Sequence, residues 1–196
     1  MRSNNTTNLE ACMIQYNDEL KSKLLSIVQN KSVIIKNVTL ASGKKSNYYV
    51  DGKQTTLSSD GIVIIAKLFA DLLTDVQAVG GPTMGADPFV GALLYECHNR
   101  NIPMAGFIVR KEIKQHGTMK MIEGPVAPGT EVAVIEDVIT TGGSVLKAIE
   151  ILQENNCTVK KVLALLDREQ GGQELFEEKG IPYYPILTKS DLTLPA

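Results

Sequence analysis

Val134-Ile135-Glu136-Asp137-Val138-Ile139-Thr140-Thr141-Gly142-Gly143-Ser144 is the stretch whose reading decides the fold. The apolar run Val132 to Ile135 leads into it and reads as a buried strand. Two carboxylates, Glu136 and Asp137, stand at the C-terminal end of that run, and a loop of small residues follows. Val145, Ala148, Ile149 and Leu152 then recur at helical spacing, so a helix is expected to begin at or just after Ser144. Strand, acidic pair, small-residue turn and helix form a layout that holds a phosphorylated sugar.

The anion-binding half of that layout is the turn. Backbone N–H groups from Thr140 to Ser144 can converge on a phosphate, and the free amides and positive dipole end of the following helix add to the pull. Gly142 and Gly143 permit close approach and positive φ. The hydroxyls of Thr140, Thr141 and Ser144 supply further donors. Carboxylates do not bind phosphate. Glu136 and Asp137 suit sugar hydroxyls, a hydrated metal ion, or positive charge developing on the sugar.

Two other phosphate-binding layouts are excluded, because neither G-x-x-x-x-G-K-[ST] nor G-x-G-x-x-G occurs in the chain. The plainer alternative is an acidic strand end followed by an ordinary glycine turn. The stretch resembles the phosphoribosyl-pyrophosphate (PRPP) motif of type I phosphoribosyltransferases, in which apolar residues, two acids and a Thr/Gly/Ser loop follow one another. The resemblance implies that Glu136, Asp137, Val138, Ile139, Thr140, Thr141, Gly142, Gly143 and Ser144 bind PRPP.

Composition sets the outer bounds. The chain has 196 residues, 43% hydrophobic and 21% charged, enough for one α/β domain with a sizeable core. We read residues 1–196 as a single phosphoribosyltransferase domain, with the segment to about residue 55 contributing a small N-terminal hood. The net charge of −2 gives no global field toward nucleic acid or membrane. The 3 cysteines, Cys12, Cys97 and Cys157, have no metal-ligand spacing and point to a reducing compartment. No apolar run approaches a membrane span, and the polar start is not a secretion signal. A cytoplasmic protein is the expectation.

Outward from the central stretch, the chain alternates strands and helices. Asn17 is placed to cap a helix with Asp18 and Glu19 in its first turn and Leu20, Leu24, Ile27 and Val28 as its apolar stripe. Val33 to Ile35 form a short strand. Thr39 to Asp51 has strand-like ends around Ser42-Gly43, a hairpin by pattern. Ile62, Ile65, Ala66, Phe69, Leu72 and Leu73 mark a helix. Val76 to Val79 form a strand that ends at Gly80-Gly81-Pro82-Thr83-Met84-Gly85-Ala86-Asp87, and Pro88 opens the next helix. That is a second strand, glycine turn and helix, able to face the same cleft as the first. Met104 to Val109 form a strand, followed by the basic segment Arg110 to Lys120. Glu123-Gly124-Pro125 and Pro128-Gly129 are turns. Val162 to Leu166 form a strand ending at Asp167-Arg168, Glu174 to Lys179 a helix, and Tyr183 to Leu187 a last strand before a polar tail. The alternation implies a central, mostly parallel sheet flanked by helices in three layers.

Three of these segments extend the resemblance to the orotate phosphoribosyltransferases. Ser42-Gly43-Lys44-Lys45-Ser46-Asn47-Tyr48 is similar to their Ser-Gly-x-x-Ser-x-Tyr hood segment, which implies that Tyr49 and Val50 lie against the pyrimidine ring. Arg110-Lys111-Glu112-Ile113-Lys114-Gln115-His116-Gly117 matches their mobile loop, Arg-Lys-x-x-Lys-x-His-Gly. There Arg110, Lys111, Lys114 and His116 would bind PRPP from a neighbouring subunit, so a homodimer with shared active sites is implied. Arg168 occupies the place of an arginine that reaches the orotate carboxylate, and Thr140 would also touch the base.

The resemblance implies a pentosyltransferase that converts orotate and PRPP to orotidine 5′-monophosphate and pyrophosphate, with Lys114 and Asp137 catalytic, Mg²⁺ as cofactor and no dedicated protein metal site. Nucleic acid and membrane are not expected partners. A purine phosphoribosyltransferase and a non-catalytic PRPP-sensing regulator are the rivals. Two positions depart from the pattern: Ala41 and Gly85 stand where some orotate enzymes carry lysines, with Lys44, Lys45 or Lys53 as candidate substitutes.

Overall fold

A computed structural model of the chain describes residues 17–39, 45–112 and 120–194. In chain order its elements are α1 (Asp18–Lys31), β1 (Val33–Thr39), β2 (Lys45–Val50), α2 (Lys53–Thr56), α3 (Ser59–Ala70), β3 (Ala78–Pro82), α4 (Asp87–Asn99), β4 (Ala105–Val109), β5 (Ile122–Glu123), β6 (Glu131–Ile139), α5 (Gly143–Glu154), β7 (Thr158–Asp167), α6 (Gly172–Glu178) and β8 (Tyr183–Thr188). A 3-10 turn, Lys189–Asp191, follows β8.

The main sheet has 6 strands in the order β5-β4-β3-β6-β7-β8. All neighbours are parallel except β4 and β5, which are antiparallel. β6 shows why a sheet forms here. Ala133 and Ile135 enter the core shared with α1, α3 and α4, whereas Val132 and Val134 enter the core shared with α5 and α6. A strand apolar on both faces is stable only with helices on both sides. β1 and β2 pair antiparallel with each other, outside this sheet: the strand expected at Val33 to Ile35 extends to Thr39 and pairs with Lys45–Val50, the second arm of the expected hairpin.

The order of strands positions the site. From β3 the chain moves outward to β4, then returns across β3 to place β6 on its other side. This reversal leaves a crevice at the C-terminal ends of β3 and β6, where open α/β sheets bind ligands. The β3–β6 ladder stops at Gly80↔Val134, while the β6–β7 ladder continues to Ile139↔Asp167. Glu136 and Asp137 lie in the part of β6 beyond its last β3 partner.

Local expectations held where a physical signal was strong. Asn17 Oδ1 accepts a hydrogen bond from the Leu20 amide at 3.0 Å, and Leu24 and Val28 are buried. Boundaries moved where side chains replaced ladder partners. β6 runs through the two acids rather than stopping before them, because its ladder with β7 continues to Ile139↔Asp167, while the Asp137 amide donates to Glu136 Oε1 (3.2 Å) and the Val138 amide to Asp137 Oδ1 (2.9 Å) beyond the last β3 partner. Gly80-Gly81-Pro82 belong to β3 rather than to the turn, paired with Phe107, Ile108 and Val109 of β4. The C-terminal tail is docked: Leu192 is buried, and Gln29 on α1 exchanges two hydrogen bonds of 2.9 Å with the Thr193 backbone. The expected Ser42-Gly43 turn, Lys114 and His116 lie outside the described residues.

Candidate active site

Two strand–turn–helix units meet at the crevice. The first is the loop from β6 to α5. Gly142 is left-handed (φ 79°) and precedes α5, which has no side-chain cap and no acid in its first turn. α1 is built the opposite way, with an Asn17 cap and Asp18 and Glu19 behind it. The uncapped amides and dipole of α5 are therefore left to an external anion. Gly143 is the first helical residue, one position earlier than the expected start.

The second unit is the turn from β3 to α4, which includes the cis Thr83–Met84 peptide. Gly85 of this turn packs against the acid pair: a Cβ there would stand 1.3 Å from Glu136 Oε1. Glycine is required by that close approach. A longer side chain has no room at this position, so the lysine found there in some orotate enzymes could not be accommodated without moving Glu136.

The acids are buried, Glu136 to 7% exposure and Asp137 to 5%. Burial, reinforced by the neighbouring Asp137 charge, pushes the Glu136 carboxyl above the ordinary range, to about 8. Asp137 is differently placed. Its Oδ2 accepts from Lys53 Nζ at 2.7 Å, and its Oδ1 from the Val138 amide. One buried acid thus has a cation within hydrogen-bond reach and the other has none, and it is the second, Glu136, whose proton burial favours.

A cavity of about 210 Å³ opens beside Asp137, lined by Tyr49, Val50, Asp51, Gly52, Lys53, Asp137, Val138, Thr140 and Arg168. Val50 is buried and Tyr49 is partly exposed at 42%. Arg168 is held at the far side by two contacts. Its amide donates to Ile139 O at 2.8 Å, and Asp167 before it accepts from the Glu169 amide at 2.8 Å. Arg168 is 7% exposed, and its Nε has no hydrogen-bond partner among the described residues. A buried, unpartnered arginine costs free energy unless a ligand pairs with it, and its planar fork matches a carboxylate.

The structure therefore brings six of the expected residues, Tyr49, Val50, Asp137, Val138, Thr140 and Arg168, into one cavity. Glu136, Ile139, Thr141, Gly142, Gly143 and Ser144 continue from it along β6 and into the α5 turn. Arg110 does not line the cavity: its Nη1 donates to Glu123 Oε1 at 3.1 Å, and Lys111 beyond it is exposed. Sequence reasoning missed Asp51 and Gly52 and left Lys53 as one candidate among three. Its available signal was the Asp-Gly turn pair directly after a strand. A larger cavity, about 440 Å³, lies between Lys120–Gly124 and the start of β7, with no acid and no arginine in its lining.

Among the described residues no group of three or more His, Cys, Asp or Glu side chains is placed to hold a metal ion. Both Asp137 oxygens already accept hydrogen bonds and Glu136 favours its proton. Such a donor set offers no cage, but it suits a hydrated divalent ion held mainly by ligand phosphate oxygens.

Comparison with known proteins agrees with this architecture. Residues 53–179 match the family model described as the phosphoribosyl transferase domain. Orotate phosphoribosyltransferase of Thermosynechococcus vestitus is 44% identical over 176 residues, 89% of this chain and 93% of that protein. The crystal structure of Mycobacterium tuberculosis H37Rv orotate phosphoribosyltransferase with Fe(III) dicitrate superposes with a TM-score of 0.79 at 37% identity, covering 89% of this chain and 99% of that one. The same Mycobacterium enzyme in complex with PRPP gives a TM-score of 0.75 at 34% identity, covering 89% of this chain and 99% of the other.

Proposed function

Because this chain belongs to the phosphoribosyltransferase family, among its orotate phosphoribosyltransferases, we propose that it transfers the 5-phosphoribosyl group of PRPP to orotate. The products are orotidine 5′-monophosphate and pyrophosphate, in de novo pyrimidine synthesis. The single observation that carries the choice of base is Arg168, a buried arginine whose Nε has no hydrogen-bond partner among the described residues, in a cavity whose walls include Tyr49, Val50 and Thr140. Orotate has a flat ring for the Tyr49–Val50 wall and a carboxylate for Arg168. Purine bases carry no such carboxylate.

The residue roles follow from the charges of the reaction. Cleavage of the C1–oxygen bond of PRPP runs ahead of attack by the pyrimidine N1, so positive charge builds on the ribose and negative charge on the departing diphosphate. The Thr140–Ser144 turn and the α5 amides hold the 5′-phosphate. Asp137, with Glu136 beside it, accepts the ribose hydroxyls and favours the cationic sugar. Arg110, Lys111, Lys114 and His116 neutralise the leaving group, with Lys114 carrying the largest share. Those cations come from a neighbouring subunit in a homodimer. The support is that Arg110 turns toward Glu123 rather than into the cavity of its own chain. Closure of the loop excludes water that would otherwise hydrolyse PRPP. Glu136 and Asp137 would stand beside a hydrated Mg²⁺, which when bound would supply positive charge to the diphosphate.

We place the protein in the cytoplasm on its sparse cysteines, of which Cys97 and Cys157 are free. No helix among the described residues is long and apolar enough to cross a membrane. The test mixes protein, PRPP and Mg²⁺ with orotate, adenine or hypoxanthine and follows base absorbance. Consumption of orotate alone is expected, and turnover of only a purine would overturn the assignment.

A further inference from the structure

We infer that Lys53 is a positioning residue for this transfer, holding the Asp137 carboxylate in the orientation that receives the ribose hydroxyls and tying the wall of the base cavity to the sugar site. The inference rests on the function proposed above. Lys53 and Asp137 are 84 residues apart in sequence, yet Nζ and Oδ2 are 2.7 Å apart. The Asp137 side chain is 8% exposed and that of Lys53 35%, and both residues line the cavity.

The lysine is delivered to Asp137 by built structure. Asp51 Oδ1 accepts from the Lys53 amide at 3.2 Å, an Asx turn, and Asp51 Oδ2 accepts from Gln54 Nε2 at 3.0 Å. The Asp51 amide donates to Ser32 O at 2.9 Å, and the Ser32 and Thr55 hydroxyls share a buried hydrogen bond of 2.7 Å, anchoring α2 to the end of α1. Gly52 lets this turn lie against β6: a Cβ there would meet Val138 Cγ2 at 2.9 Å and the Asp137 Cβ at 3.1 Å.

The contact fixes Asp137 without using it up. An ionised carboxylate has about four lone-pair sites. The Val138 amide takes one on Oδ1 and Lys53 one on Oδ2. The Glu136 carboxyl hydrogen-bonds to Asp137 as well, so at least one site is left for a ribose hydroxyl. Burial alone would weaken the Lys53 ammonium, but the Asp137 hydrogen bond and charge, with Glu136 and Asp51 behind them, outweigh burial and raise its pKa. The cation therefore persists at neutral pH, and a buried Asp137 is not left unpaired. Without it the carboxylate loses both counter-charge and orientation, a loss that falls on PRPP rather than on orotate.

The test is a double-mutant cycle of Lys53→Met and Asp137→Asn, read by calorimetric binding of PRPP with Mg²⁺ and by steady-state kinetics. Lys53→Gln serves as a second variant, Lys53→Arg as the conservative one, and melting temperature as the folding control. We expect Lys53→Met to weaken PRPP binding about tenfold, by no more than about twofold once Asp137 is Asn, because contacting pairs couple and independent sites multiply. Lys53→Arg should recover at least half of the logarithmic loss, and KM for orotate should stay within about threefold of wild type. Equal losses in both backgrounds, a dominant rise in the orotate KM, or a Lys53→Met protein that binds PRPP as wild type does would each overturn the inference. Wild-type protein that binds PRPP but consumes no orotate would remove the function reading and leave the cycle intact.

Discussion

Arg168→Met separates function from stability, because the two should move in opposite directions. Arg168 is 7% exposed, its Nε is unpartnered, and its guanidinium makes no ion pair among the described residues. In the free protein its buried Nε is left without a hydrogen-bond partner among the described residues. With orotate bound, its fork can make two charge-assisted hydrogen bonds to the carboxylate. Such bonds contribute roughly 1.5–3 kcal/mol each, so losing the pair costs about 3 kcal/mol at the low end. At 1.4 kcal/mol per decade this is roughly a 10²-fold fall in kcat/KM for orotate. Methionine fills the space without a charge, so the melting temperature of the free protein should hold or rise. Steady-state assays with orotate and with uracil, which is orotate without its carboxylate, give the diagnostic ratio. Wild type should prefer orotate strongly, and the variant should lose that preference by losing orotate rather than by gaining uracil. An orotate kcat/KM within about threefold of wild type, or a melting temperature lowered by several degrees at unchanged activity, would refute the reasoning, since an arginine fork at its carboxylate is worth more than that.

Other perturbations probe the rest of the site. Gly85→Ala places a Cβ 1.3 Å from the present position of Glu136 Oε1, so the acid must move, and turnover should fall with the fold retained by circular dichroism. Lys114→Ala should lower kcat by roughly 10² or more if it stabilises the departing diphosphate as other charge-stabilising groups do. Co-expressed with Asp137→Asn subunits, it should regain part of the activity in purified heterodimers, because each dimer then holds one intact set of groups. Glu136→Gln tests the buried acid through pH. Its folded pKa, about 8, lies above the ordinary value of 4.5, so its stabilising contribution is full below 4.5 and lost as pH rises through 8. Wild type should therefore lose stability toward pH 8 relative to Glu136→Gln in denaturant melts, and parallel curves would contradict the assignment.

Most of the frame was legible because its signals are local. Periodicity identified β6 and α5, Asn17 announced a capped helix, and resemblance to the orotate enzymes singled out the arginine after β7. What could not be read depended on contacts distant in sequence. The extension of β6 through Glu136 and Asp137 depends on its continuing ladder with β7, with the acids' own side chains satisfying neighbouring amides. Pattern rules treat adjacent carboxylates as a strand end. Lys53 looked equivalent to Lys44 and Lys45 until α2, a short helix no periodicity reveals, carried it to Asp137. Gly85 looked like a turn residue, and only the fold shows that it makes room for an acid on another strand. The tail read as polar because Leu192 and Leu194 are isolated in sequence; α1 supplies the surface they cover.

The central claim is that the crevice between β3 and β6 grips an activated ribose phosphate, with a carboxylate-bearing pyrimidine beside it. A crystal structure of the protein with PRPP, Mg²⁺ and orotate tests it most directly. The account predicts the 5′-phosphate on the Thr140–Ser144 amides, ribose hydroxyls on Asp137, and the orotate carboxylate on Arg168. A sugar phosphate bound elsewhere, with that turn empty and Arg168 still unpaired, would contradict it.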